Sequence, residues 1–247
     1  MQVSSAYVKR QSDNLAKLTR AAGGVIKRAV DTMEDDDLAM AVTDASRAYS
    51  TLSAAMTAEY YNGIRRASNV RSRFTASAIS GFVDAAATAA AYAIIGEVAD
   101  GRATVSLSSL LTDLVSRYIR DASETCVREN ARLDPAHPRY VIVPNGDACA
   151  FCQMRASLEY SYKDADAAKS HDHCSCQPTP VFGNSTVQGY NASAYRDKYD
   201  RAADAYRSGD ISDDLKERIE RQKEEKGRDF TSTNAILMVM REQQGIK

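Results

Sequence analysis

Apolar positions recur at three- and four-residue steps through the first half of the chain. Val8, Leu15, Leu18, Ala22, Ile26, Val30 and Met33 make one stripe, the spacing of a single face of an α-helix. The acids Glu34 to Asp37 follow, suited to the exposed amides and positive dipole end of a helix start. A second stripe, Leu38, Val42, Ala45, Tyr49, Leu52 and Met56, has heptad spacing but is too short for a free-standing coiled coil. Two long helices packed as an antiparallel hairpin are predicted. The Ala-rich segment from Ala76 to Ala99 predicts a third helix, ended by Gly101. Leu107, Leu111, Leu114, Tyr118, Ala122 and Cys126 predict a fourth, with Cys126 on its apolar face as a small buried hydrophobe. No proline interrupts residues 1–131.

The texture changes at Pro135 and Pro138, which stop the helix. "RYVIV" has the β-branched and aromatic content of a short strand, "PNGD" is a turn, and "QPTPVFG" is a second extended piece. Helical texture returns at Ala192 with Tyr195, Tyr199 and Tyr206, then breaks at Gly209. Ser212 fits an N-cap and Gly227 a stop. A last short helix carries "AILMVM", Ala235 to Met240, either docked on the body or presented to a partner.

Composition narrows the classes. The 247 residues are 44% hydrophobic and 26% charged, enough for a packed core in one large or two smaller domains. A net charge of −1 gives no basic excess of the kind that coats nucleic acid. The run "RRASNVRSR", Arg65 to Arg73, reads as a solvated helix end rather than a nucleic-acid patch. The longest uncharged run in the Ala-rich segment, Ala85 to Gly96, is 12 residues, against the roughly 20 a membrane span needs. The start lacks a basic region followed by an apolar run, so the protein is expected to stay in a reducing cytoplasm after synthesis. Five cysteines in that setting read as metal or catalytic groups, not as a disulfide framework.

Four of those cysteines, and two of the three histidines, fall between Cys149 and Cys176. The spacing is C-x2-C-x18-H-x2-C-x-C, with ligand candidates Cys149, Cys152, His171, Cys174 and Cys176. A C-x2-C pair and a second pair from a distant loop complete a tetrahedron, and zinc takes thiolate and imidazole without redox change. The segment between the pairs is polar and has little to bury, so a structural zinc is the natural staple. Cys149 and Cys152 form the first pair. His171 with Cys174 has the spacing for the second, and Cys176 could replace Cys174. His173 is set apart, because adjacent residues of an extended segment face opposite ways.

Other chemistries fit less well. A redox dithiol usually opens a helix in a βαβ frame, which this chain does not alternate to make. A zinc deaminase needs His-x-Glu upstream, and His137 is followed by Pro-Arg. A metal nuclease built on "HDH" would have to complete its site with Asn, Asp or Glu. The fold class expected is therefore mainly α: a long-helix bundle over 1–131, a small zinc-stapled module with short strands over 132–187, and a charged helical tail over 188–247.

"VPNGDACAFCQMRAS" followed by "SHDHCSCQPTPVF" resembles the Mu F-like phage minor head proteins, also called head morphogenesis proteins. Cys149 and Cys152 match that family's first pair, and His171, Cys174 and Cys176 its second cluster. Asp172 and Ser175 stand where many members have proline and arginine. The resemblance is specific between about Tyr140 and Phe182. It implies a virion-head protein, assembled in the host cytoplasm, that contacts the portal and the major capsid or scaffolding protein. DNA contact stays open, though the charge balance does not indicate it, and no membrane role is implied. No nucleophile–base constellation is evident, so an enzyme is not expected. Nuclease or protease activity stays open, a zinc-stapled nucleic-acid-processing enzyme being the alternative.

Overall fold

The computed structural model describes residues 2–145, 148–158 and 176–246, and these are mainly helical. After a two-residue strand, β1 (Gln2–Val3), come α1 (Ser5–Thr32) and α2 (Asp35–Ala67), joined only by Met33 and Glu34. Next are α3 (Asp84–Ala99) and α4 (Leu107–Leu133). Much of the predicted stripes meets in one core, with Leu15, Ala22 and Ile26, Leu38, Val42 and Ala45, and Leu111 and Leu114, joined there by Ala91, Ile95, Val115 and Ile119, while Val8 and Cys126 fall in another. Ser4 and Ser106 start α1 and α4, their hydroxyls accepting from Ala6 N and Ser109 N at 3.3 Å each.

The heptad spacing of α2 does not persist as its buried face. Leu52 is 50% exposed, while Ser46, Ser50, Ser53, Ala54 and Thr57 face inward. A straight helix drifts by about 20° per heptad, so a strict 3.5-residue repeat walks off the core. The inward side is polar there. Gln11 Nε2 donates to Thr57 Oγ1 at 2.8 Å, Thr57 to Ser123 Oγ at 2.9 Å, and Ser53 to the Ile119 carbonyl at 2.6 Å.

The third helix begins later than its composition suggests. Residues 76–83 carry no regular secondary structure, and α3 starts only at Asp84. Side chains from the bundle take this backbone before helix can. Asn62 Oδ1 accepts from Ala76 N at 2.9 Å, and Asn130 both accepts from Ser77 N and donates to Ser77 O at 2.8 Å. Gly81 has φ +65°, and a Cβ there would sit 3.0 Å from Thr125.

The strands form two small sheets. β2 (Arg139–Val143) pairs antiparallel with β3 (Gln177–Val181), from Arg139 opposite Val181 to Val143 opposite Gln177. Pro178 and Pro180 sit at alternate positions of β3, so Gln177, Thr179 and Val181 carry the ladder. β1 pairs in parallel with β4 (Thr186–Val187), tying the chain's start to the segment after the cysteines. A second core unites these strands with α2 and α4, through Tyr60, Tyr61, Val127, Val141, Ile142, Val181 and Phe182.

Beyond β4, α6 (Ala192–Ser208), α7 (Asp213–Lys226) and α8 (Ser232–Gln244) pack with α5 (Ala150–Ser157) around a third core. Ser212 caps α7, accepting from Leu215 N at 3.2 Å, and Gly209 and Gly227 end α6 and α7 at positive φ. The Ala235–Met240 stretch is docked rather than presented, with Ala235, Val239 and Met240 at most 1% exposed. No helix among the described residues is long and apolar enough to cross a membrane.

Candidate metal centre at the cysteine cluster

β2 and β3 together bring the two cysteine segments to one end of their sheet. Val143, the last residue of β2, lies opposite Gln177, and Cys176 directly precedes Gln177. From Val143 the chain turns back, Ala148 N bonding to Asn145 O at 2.9 Å, and reaches Cys149. Cys149 is the N-cap of α5 and half-buried. Cys152 lies in the first turn of α5, 1% exposed, and Cys176 is 6% exposed. All three belong to the core that holds the β2–β3 pair.

The C-x2-C therefore opens a short helix, where the sequence suggests a turn. Such an opening is the redox arrangement, but its frame here is different. β2, which feeds α5, pairs antiparallel with β3, and the one parallel pair among the described residues, β1–β4, does not include it. Side chains three apart on a helical turn stand about 5–6 Å apart at Cβ. Two thiolates can close that gap around one zinc, each at about 2.3 Å. The donor chemistry and spacing of Cys149 and Cys152 thus fit a zinc ion, while Cys176, directly before β3, is not grouped with them as a third ligand.

His171 and Cys174, and the set-apart His173, lie outside the described residues. Among the described residues no group of three or more His, Cys, Asp or Glu side chains is disposed to hold a metal, and the zinc-stapled module expected from sequence is not shown. Cys126 is held elsewhere, as its place on the apolar stripe suggests. Its thiol donates to Ala54 O at 3.3 Å and Ser77 O at 3.5 Å, and burial pushes its pKa up. Nothing in its spacing signals this role in holding the irregular segment around Ser77.

Several neighbours of the site give no sequence signal. Arg155 of α5 is buried and reaches Glu124 of α4 at 3.8 Å, its guanidinium 5.8 Å from the Phe151 ring centre. Lys198 donates to Gln153 Oε1 at 3.0 Å, and Arg196 to the Ser157 carbonyl at 2.9 Å, satisfying the end of α5. Tyr195 lies close enough to Cys176 to be influenced by it. Burial, and secondarily the Cys176 charge, raise the Tyr195 pKa. On its other side α5 contributes Ala150, Phe151 and Met154 to the third core. The cysteine-bearing helix thus joins the strand core to α6 and α8.

A helical bundle with a small strand-and-cysteine segment defines a class built on packed helices. The chain matches the VG15 protein family over residues 2–202 and belongs to it. That is a family of viral, phage-type gene proteins. The matched span includes the whole run from Cys149 to Cys176, while α7 and α8 lie beyond it. No curated protein and no solved structure matches the chain.

Proposed function

We propose that this protein is a structural component of a tailed-phage head, a minor capsid or head-morphogenesis protein. It acts through protein–protein contacts near the portal, with the major capsid or scaffolding protein as further partners. Membership of the VG15 family carries the reading, because the match spans both cysteine motifs on which the Mu F-like resemblance rests. The described side chains support it, being spent on packing three cores and satisfying helix ends. Its place is the virion head, reached by assembly in the host cytoplasm.

One zinc ion belongs to this reading as a structural staple. Cys149 and Cys152 hold it together with two of His171, Cys174 and Cys176. Bound there, zinc supplies cross-linking between the segments at the ends of β2 and β3, a role that needs no open coordination position. The protein's own part is to set the two α5 thiols on one helical turn and to bury Cys152 and Cys176.

Co-expression with a portal protein of the same phage tests the function. Co-purification, and presence in mature particles, is the expected result. A protein that stays free and is missing from particles overturns it. Hydrolysis of nucleic acid by the metal-loaded protein would replace it with the nuclease reading.

A further inference from the structure

One side of α3 is left uncovered by the other described residues. Ala87, Ala91 and Ile95 are buried, and the opposite side shows Ala85, Ala86, Ala89, Tyr92 and Ala93 to solvent. No charge occurs between Asp84 and Glu97. A surface helix normally carries polar residues on its outer face, and a helix apolar all round is normally buried all round.

α2 widens this surface. Arg47 bonds to Asp84 at 2.9 Å, Thr43 to Thr88 at 2.9 Å, and the Tyr92 hydroxyl donates to Asp36 at 3.0 Å. These pairs set α2 and α3 antiparallel. Met40, one turn beyond Asp36 on α2, is 51% exposed, and Tyr92 is 43% exposed.

The rim is acidic. The same pairing carries Glu97 and Asp100 past the start of α2, toward the corner where Asp31, Glu34, Asp35, Asp36 and Asp37 are exposed. Against these seven acids, residues 27–37 and 97–102 hold three bases, Lys27, Arg28 and Arg102. Asp31, Glu34, Asp35 and Asp37 make no ion pair among the described residues. The helix dipole accounts for Asp35–Asp37, in the first turn of α2. It opposes Asp31 and Glu97, which stand in the last turns of α1 and α3. Those two acids gain nothing from the dipole of the helix that carries them.

We propose that this face docks a helix of another protein, with small and aliphatic residues on its contact side and Lys and Arg at its flanks. The proposal rests on reading the protein as an assembly component, and names the surface and the chemistry of the partner. Charge selects the occupant. A parallel second copy would set acidic corner on acidic corner, and an antiparallel one would set Glu97 and Asp100 near the Asp84 end. The same acids repel a phosphate backbone. A straight α3 offers about 24 Å of contact, suited to recognition of one helix by its apolar face.

The probe is a synthetic helical peptide of about the same length, with Ala and Leu on one face and Lys and Arg at both ends. A control peptide carries Glu at those ends. Saturable, salt-sensitive binding of the basic peptide is expected, with none of the control. Ala89→Glu should weaken it about tenfold or more, since it sets a carboxylate in a desolvated contact, while circular dichroism stays unchanged. Asp31→Lys with Asp37→Lys should weaken it with the apolar face intact. Failure of the wild type to bind, equal binding by Ala89→Glu, or a wild-type dimer that Ala89→Glu splits would each overturn the proposal. Portal association that survives Ala89→Glu overturns this surface and leaves the head reading standing. Peptide binding without portal association does the reverse.

Discussion

Arg65 of α2 and Asp134, just past α4, form an ion pair inside the protein, Nε to Oδ2 at 2.8 Å with side chains 9% and 0% exposed. Asp134 also accepts from the Tyr61 hydroxyl at 3.2 Å and from Ala136 N at 2.9 Å. Arg65 turns its other nitrogen to Ser72, donating to Oγ at 2.6 Å and to the carbonyl. One guanidinium thus ties the end of α2, the start of the irregular segment and the turn into β2.

Removing one partner strands the other charge, so Asp134→Ala should destabilise the fold by about 3–5 kcal/mol. Urea unfolding measures it, as a lower midpoint with an unchanged slope. A loss below about 1 kcal/mol, the level of an exposed pair, would show that the pair is solvated rather than buried.

Alkaline pH should also weaken the fold, through Tyr60 and Tyr61. Burial is the main cause raising both phenols above their ordinary value of 10, with the Asp134 charge adding at Tyr61 and the Thr179 bond opposing at Tyr60. The folded pKa is the higher one, so the stabilisation is fully present below pH 10 and is lost as pH rises beyond it. Unfolding free energy followed from neutral pH upward should fall above about pH 10. Tyr61→Phe should flatten that fall. An unchanged alkaline limb in the variant would mean the hydroxyl ionises as freely folded as unfolded.

The long helices were legible because their cores are built from residues at three- and four-residue steps, as with Leu111, Leu114 and Tyr118 of α4. Ser212, Gly209 and Gly227 mark their ends by local chemistry alone, and the "RYVIV" strand by its residue types. What failed depended on partners far along the chain. The irregular run at 76–83 answers to Asn62 and Asn130, not to its own composition. The β1–β4 pairing joins residues about 180 positions apart. At the cysteines, spacing identified the thiols but not the helix that α6 and α8 stabilise around them, nor the buried Arg155 and Glu124 beside it.

Docking of α8 on α5 makes the C-terminal helices part of the body. Met240 is fully buried in their shared core. Met240→Ala should therefore cost about 2–5 kcal/mol, the loss of transfer energy plus a cavity, read as a shift of the thermal midpoint. A detached tail would instead lose only its own helical signal, with the main transition unmoved.

Zinc content offers the sharpest test of the cysteine cluster. The expected wild type keeps one zinc per chain through desalting, because a closed structural site exchanges metal slowly. Cys149→Ser or Cys152→Ser should lose it, since these two thiols come from one turn of α5 and no other described cysteine lies on that helix. His171→Ala should lose it as well, while His173→Ala should keep it. Cys126→Ser should keep it too, because that thiol is bonded to Ala54 and Ser77 carbonyls. Metal loss should open the β2–β3 pair to protease and leave most helical signal in place, since α1 to α4 have their own core around Ile26, Val42, Ile95 and Val115. Elemental analysis with limited proteolysis reads all five variants. Metal-free wild-type protein whose β2–β3 pair resists protease would show that packing of Val141, Ile142, Val181 and Phe182 suffices, and that no staple is needed.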